Sequence, residues 1–187
     1  GPGVGGLLLE TGGIDGAFAL GAALYLVALF FLAGLVLEPA PERMGRFRIF
    51  SRVLEGLRIV AGDRALVGTL TVTVIFNVLA WPATSMVPVI GETQLGLSAF
   101  PIGLLMSADG LGALIGAIVV AVGARPRHFR GCYVFGVALY LVATAGFALS
   151  PWPLVSGALQ VGVGFGNSCF ATMQATIVFL SAPVAAR

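Results

Sequence analysis

The sequence has no lysine, one histidine, two cysteines and eight acids, and charged residues make up only 10% of its 187 positions. Soluble domains carry about 25% charge, and a globule this poor in charge could not cover its surface with polar groups. Most cytosolic enzymes and nucleic-acid binders are thereby excluded. Disorder is excluded by the opposite excess, because 58% of the residues are apolar and disordered chains are poor in them. Cys132 and Cys169 lie far apart and show neither metal-ligand nor redox spacing, so they imply no disulfide framework and no metal site. A formal charge of +2 is too small to suggest a polyanion partner. With a mean hydropathy of +1.04, the bilayer is the natural solvent for this chain.

A bilayer core about 30 Å thick needs roughly 20 apolar residues of helix. Sliding that length along the chain finds five full spans, at 17–37, 66–90, 100–124, 132–149 and 154–180, and an apolar stub at 1–9. Barrel strands would be about half as long and would alternate apolar with polar residues. The expected fold is therefore all-α, a polytopic bundle of transmembrane helices. The chain opens on Gly1-Pro2-Gly3 rather than Met and ends at Arg187 directly after an apolar run. It is expected to be a piece of a longer membrane protein.

The arginines orient the bundle. Arg43, Arg46, Arg48, Arg52, Arg58 and Arg64 fall in 38–64, Arg125, Arg127 and Arg130 in 124–130, and Arg187 closes the chain. The intervening loops at 10–16, 91–99 and 150–153 hold Glu10, Asp15 and Glu92 and no arginine. By the positive-inside rule the arginine side is cytoplasmic. Within the long loop, Pro39 and Pro41 stop the preceding span. Phe47, Phe50, Leu54, Leu57 and Ala61 then recur on one helical face, opposite Arg48, Arg52 and Glu55. A short amphipathic helix fits there, either at the inner membrane interface or packed on the ends of the spans.

Polar groups inside the spans are few. Thr69, Thr73, Asn77 and Thr84 lie close to one face of their helix, which also carries Pro82 and Pro88. Pro82 deprives the Val78 carbonyl of its donor and should kink that helix. Gln160, Asn167 and Gln174 form a second stripe at intervals of seven. Such amides should face protein or water, so they are either interhelical hydrogen-bond glue or the lining of a substrate path. Asp109 is the one acid well inside a span, and its face continues through Gly112, Gly116 and Gly123. An ionisable group at that depth is a candidate functional site. The G-x-x-x-G steps Gly112/Gly116 and Gly162/Gly166 should let helix backbones approach closely. No nucleotide-binding loop of the G-x-x-x-x-G-K type is present, and the spans lack the paired acids or clustered histidines of an active site. Neither a cofactor nor an enzymatic activity is expected.

The opening Gly1-Pro2-Gly3-Val4-Gly5-Gly6 resembles the G-P-x-x-G-G tail of the fifth-helix motif in antiporters of the major facilitator superfamily. The rest falls into register with it. Residues 17–37 look like the sixth helix, 38–64 like the central cytoplasmic loop and 65–187 like helices seven to ten, ending in a P-x-x-x-R segment at Pro183 and Arg187. Asn77 followed by Pro82 and Pro88 is most similar to the bacterial branch that includes siderophore and multidrug exporters. Where the family carries an Asp before the first Arg of its loop between helices eight and nine, this chain has Ala124.

The resemblance implies three segments: the end of an N-terminal half (1–37), a cytoplasmic linker with an amphipathic helix (38–64), and the start of a C-terminal half (65–187). Helices one to four and eleven to twelve would lie outside the chain. It implies a secondary transporter of the bacterial inner membrane, exporting a small organic molecule against proton entry. Asp109 would handle the proton or substrate, and Thr73, Asn77, Gln160, Asn167 and Gln174 would line the path. Gly1, Pro2, Gly5 and Gly6 would form the antiporter-type packing motif, with the glycines touching another backbone and Pro2 bending the helix. The implied partners are a small-molecule substrate, protons and the lipid bilayer, with no nucleic acid or nucleotide. The alternative is a membrane scaffold that transports nothing, in which the polar groups only bind helices together.

Overall fold

The computed structural model describes residues 1–35, 54, 56–58, 60–123 and 125–181, and within them every regular element is a helix. Five of the described stretches are long and apolar enough to cross a bilayer: Pro2–Ala33, Leu66–Thr93, Ala99–Gly123, Pro126–Leu149 and Pro153–Leu180. The all-α transmembrane bundle expected from the sequence is what the chain forms. Most of the expected interfacial helix, with Phe47, Phe50, Arg48, Arg52 and Glu55, lies outside the described residues, as do Ala124 and the segment 182–187. Of its apolar face, Leu54, Leu57 and Ala61 are described and all three are exposed.

The first element, α1 (Pro2–Ala33), is two helical segments joined across a kink at Gly13, whose φ of 65° and ψ of −171° are not helical. The expected stub and span meet at that kink with no long loop between them. Glycine lacks the Cβ that makes such a conformation costly. Pro2 stands in the first turn, where it starts the helix rather than bending it. Beyond Asp15 the helix carries no charged residue, and Phe18, Tyr25 and Phe30 are 75%, 81% and 77% exposed. A surface of that kind belongs in lipid or against further helices.

The proline-bearing span is broken, as Pro82 requires. It comprises α2 (Arg64–Ile75), a π turn (Phe76–Ala80), a 3-10 segment (Trp81–Met86) and α3 (Val87–Thr93). Wider and tighter turns take up the donor that proline removes. Carbonyls in the break find side-chain donors. Tyr140 Oη donates to the Ala80 oxygen at 3.0 Å, Thr84 Oγ1 to Trp81 at 2.7 Å and Ser85 Oγ to Pro82 at 2.6 Å.

After a turn containing Gly96 (φ 62°), α4 (Ala99–Gly123), α5 (Phe129–Leu149) and α6 (Pro153–Ser181) complete the chain. The last helix is the hub. One face of α6 meets α4 where Gly112 packs on Val161 and Gly116 on Phe165 and Ser168. Another meets α5, where a Cβ built at Gly136 would lie 2.8 Å from the Gly166 oxygen and one at Gly166 would lie 2.7 Å from the Gly136 oxygen. Lipid supplies no hydrophobic drive between helices, so close backbone approach and dispersion must hold them. An aromatic cluster ties the broken span to this core. Phe76 stacks on Phe170 at 4.4 Å and tilts against Tyr140 at 4.6 Å, and such pairs contribute about 0.5–1.5 kcal/mol beyond their burial.

Candidate functional site

Gly3, Gly6 and Glu10 follow one another at three and four residues, which places them on one face of α1. That face runs antiparallel along the first half of α4. A Cβ built at Gly6 would lie 2.5 Å from the Ala99 oxygen and 3.1 Å from Gly103 Cα, and one at Gly103 would lie 2.6 Å from the Pro2 oxygen. The Gly3 N–H donates to Ser107 Oγ at 2.8 Å, and that hydroxyl donates to the Gly103 oxygen at 2.9 Å. At the other end the Glu10 carboxylate accepts from the Phe100 N–H at 3.0 Å and from Ser98 Oγ at 3.3 and 3.4 Å. The first N–H groups of a helix have no partner within it, and they form the positive end of its dipole. The N-terminus of α4 is thus capped by an acid from a different helix.

This contact uses only part of the opening motif. Gly6 and the Pro2 carbonyl take part in it, but a Cβ at Gly1 or Gly5 would have nothing within 4 Å among the described residues. The reason is angular. Successive residues turn by roughly 100° about a helix, so Gly5 points away from the contact that Gly6 makes. Gly3, on the contact face, takes its place.

Asp109 lies near the middle of α4 and is half-buried. Its backbone carbonyl packs directly on Gly164 of α6, where any side chain would collide with it. Gly112 and Gly116 continue that packed face, as the sequence suggested. Gly123 does not, because it has no neighbour within 4 Å among the described residues. The Asp109 carboxylate makes no hydrogen bond or ion pair among the described residues.

The polar stripe of α2 is satisfied largely along its own helix. Thr73 Oγ1 donates to the Thr69 oxygen and Asn77 Nδ2 to the Thr73 oxygen, both at 2.8 Å, while Tyr133 Oη reaches the Thr69 oxygen at 3.3 Å. Thr69 is buried, Thr73 half-buried and Asn77 exposed. On α6, Gln160 is only 3% exposed, and Asn167 and Gln174 are half-buried. The cavity that holds Gln160 includes Thr84 of the broken span but neither Thr73 nor Asn77. Gln160 and Thr84 thus line one cavity at the break. Three residues that take part in these contacts were not singled out from the sequence: Glu10, Ser107 and Tyr140. The spacing of Glu10 after Gly3 and Gly6 was a usable signal, but Tyr140 sits in an apolar run that offers none.

The family model described as Major Facilitator Superfamily matches residues 1–187, the whole chain. No curated protein and no solved structure matches it. The whole-length match agrees with five apolar helices of spanning length and a core held by glycine-mediated backbone contacts. This chain belongs to the Major Facilitator Superfamily, a family of multi-pass membrane proteins whose members are secondary transporters and not enzymes.

Proposed function

We propose that the chain is part of a proton-coupled exporter of small organic molecules of the drug or siderophore kind, in a bacterial inner membrane with its arginine-bearing loops in the cytoplasm. The observation that carries this reading is Asp109. It is an acid at mid-span, half-buried, with no hydrogen bond or ion pair among the described residues. A carboxylate held that way can take up and release a proton as its surroundings change, which a permanently paired acid cannot do. Asn77, exposed in the π turn that follows α2, and Asn167 and Gln174, half-buried on α6, are the groups proposed to meet substrate.

The test is Asp109→Asn in the complete protein, reconstituted in vesicles with a pH gradient. Asparagine keeps the shape and most hydrogen bonding but does not titrate. Proton-driven transport should be lost with expression and folding intact, and unchanged transport with an unchanged pH profile would place coupling elsewhere. One observation favours a second reading, in which the chain is a scaffold that transports nothing. Thr73 spends its hydroxyl proton, and Asn77 one of its two amide N–H groups, on their own helical segment. A complete protein that moves no solute under any gradient would favour that reading.

A further inference from the structure

The broken span and α5 run side by side in the same direction, since their contacts advance together: Tyr133 Oη reaches the Thr69 oxygen and Tyr140 Oη the Ala80 oxygen. Both helices begin at a basic residue. Arg64 is the first residue of α2, immediately before the apolar span that starts at Leu66, and Arg130 is the second residue of α5. Between the two helices lies a groove of about 640 Å³, whose walls include both arginines, Gly68 and Thr69 of α2, and Tyr133 and Val134 of α5. No acid lines it. Both arginine side chains are exposed, and neither has a hydrogen bond or ion pair among the described residues. A Cβ built at Gly68 would meet nothing within 4 Å among the described residues, so the middle of the groove is open.

The groove continues into the membrane. From Val72, which borders both spaces, an apolar trough of about 360 Å³ runs between Ile75 and Leu79 on one side and Val137 and Leu141 on the other. At 1.5 Å per residue, Arg64 to Leu79 is about 22 Å of helix, enough to pass through the roughly 15 Å of hydrocarbon in one leaflet. Two cations at the boundary and an apolar trough below them match an amphiphile with an anionic head. A soluble anion would have no use for the trough. A zwitterionic head would bring an ammonium group to a site that offers it no acid.

We propose that the groove between α2 and α5 binds an anionic phospholipid, with its phosphodiester between Arg64 and Arg130 and an acyl chain in the trough below. Guanidinium forks match phosphate oxygens in geometry as well as charge. Basic pockets between transmembrane helices hold anionic lipid head groups in this way. The lipid joins the start of α2 to α5, and its chain lies against the side of the proline break. The inference needs only that the arginine end meet a membrane surface, so it can fail while the transport reading survives.

Thermal unfolding of the delipidated complete protein in a neutral detergent tests it, with dioleoyl phosphatidylglycerol added in steps. A ligand that binds only the folded state raises Tm as its concentration rises. The parent should show a saturable rise of several degrees, and dioleoyl phosphatidylcholine should give less than half of it. Arg64→Gln and Arg130→Gln should each lose most of the rise while keeping the lipid-free Tm of the parent. Gly68→Trp, which fills the middle of the groove, should do the same. The double variant Arg125→Gln/Arg127→Gln removes more charge from the same end of the molecule but from outside the groove, and it should keep the rise. Equal rises with the two lipids would overturn the proposal, as would an equal loss in the Arg125/Arg127 variant, because either outcome reduces the effect to bulk lipid or to general surface charge. An equal rise with millimolar inorganic phosphate would overturn it by making the groove a site for a soluble anion. A Gly68→Trp protein already destabilised before lipid is added would show the groove filled by protein in the complete molecule, and the proposal would fall.

Discussion

The role of each glycine in this chain is set by its angular position and not by how many there are. Gly5 and Gly6 are neighbours in one motif, yet only Gly6 lies against the α4 backbone. Gly6→Leu must drive α1 away from Ala99 and Gly103. It should lower stability by more than the ~1–3 kcal/mol typical of overpacking, because a backbone cannot yield as a side chain does. Gly5→Leu, with no neighbour within 4 Å among the described residues, should disturb the α1–α4 contact far less. Thermal unfolding and transport measured side by side on the two variants check this, and equal damage from both would show that the contact face has been misplaced. The sequence pointed to the right four-residue neighbourhood but not to the residue, since a spacing pattern says nothing about which face finds a partner.

The break in the proline-bearing span shows how a local rule and a distant residue divide the work at the scale of an element. Pro82 dictates that the helix be interrupted. It does not dictate what supports the irregular turns around it, and there the Ala80 oxygen accepts from Tyr140 Oη, some sixty positions along the chain. Tyr140→Phe leaves that buried acceptor without its donor and should cost about 1–3 kcal/mol. Tyr133→Phe should cost clearly less. Its bond to Thr69 is longer, at 3.3 Å, and the Thr69 oxygen keeps the Thr73 hydroxyl at 2.8 Å. Equilibrium unfolding of the two variants in the same detergent gives the comparison, and the reverse order would mean that the break is not supported by Tyr140. The same division appears at α4, whose N-terminus is capped by Glu10 from α1 rather than by a residue of its own.

At the scale of the whole molecule, every arginine is assigned to one side of the membrane by the positive-inside rule, a reading from charge alone. It predicts that a single cysteine placed between 46 and 52 reacts only with reagents added from the cytoplasmic side, and one placed at Glu92 only from outside. Cys132 and Cys169 must first be replaced so that their thiols do not report. The opposite labelling pattern would invert the proposed topology and, with it, the direction assigned to export. The exposed apolar flank of α1 after Gly13 belongs to the same scale. Its Phe18, Tyr25 and Phe30 have no role within the described bundle and are suited to lipid or to other helices.

The sequence by itself determined that the chain is an all-helical membrane bundle, how many spans it has, where the proline break falls and which acid lies inside a span. Each of these follows from composition or from a short-range rule: the length of an apolar run, the missing N–H of proline, the scarcity of charge in hydrocarbon. Only the tertiary structure decided which glycines touch, that Asp109 packs its backbone against Gly164, that Glu10 caps another helix, and that Gln160 and Thr84 line one cavity. Those facts depend on the rotation of each helix about its axis and on its height against its neighbours. In a chain whose helices are apolar nearly all round, hydrophobic periodicity cannot select that rotation, so it is settled by which backbones can approach most closely.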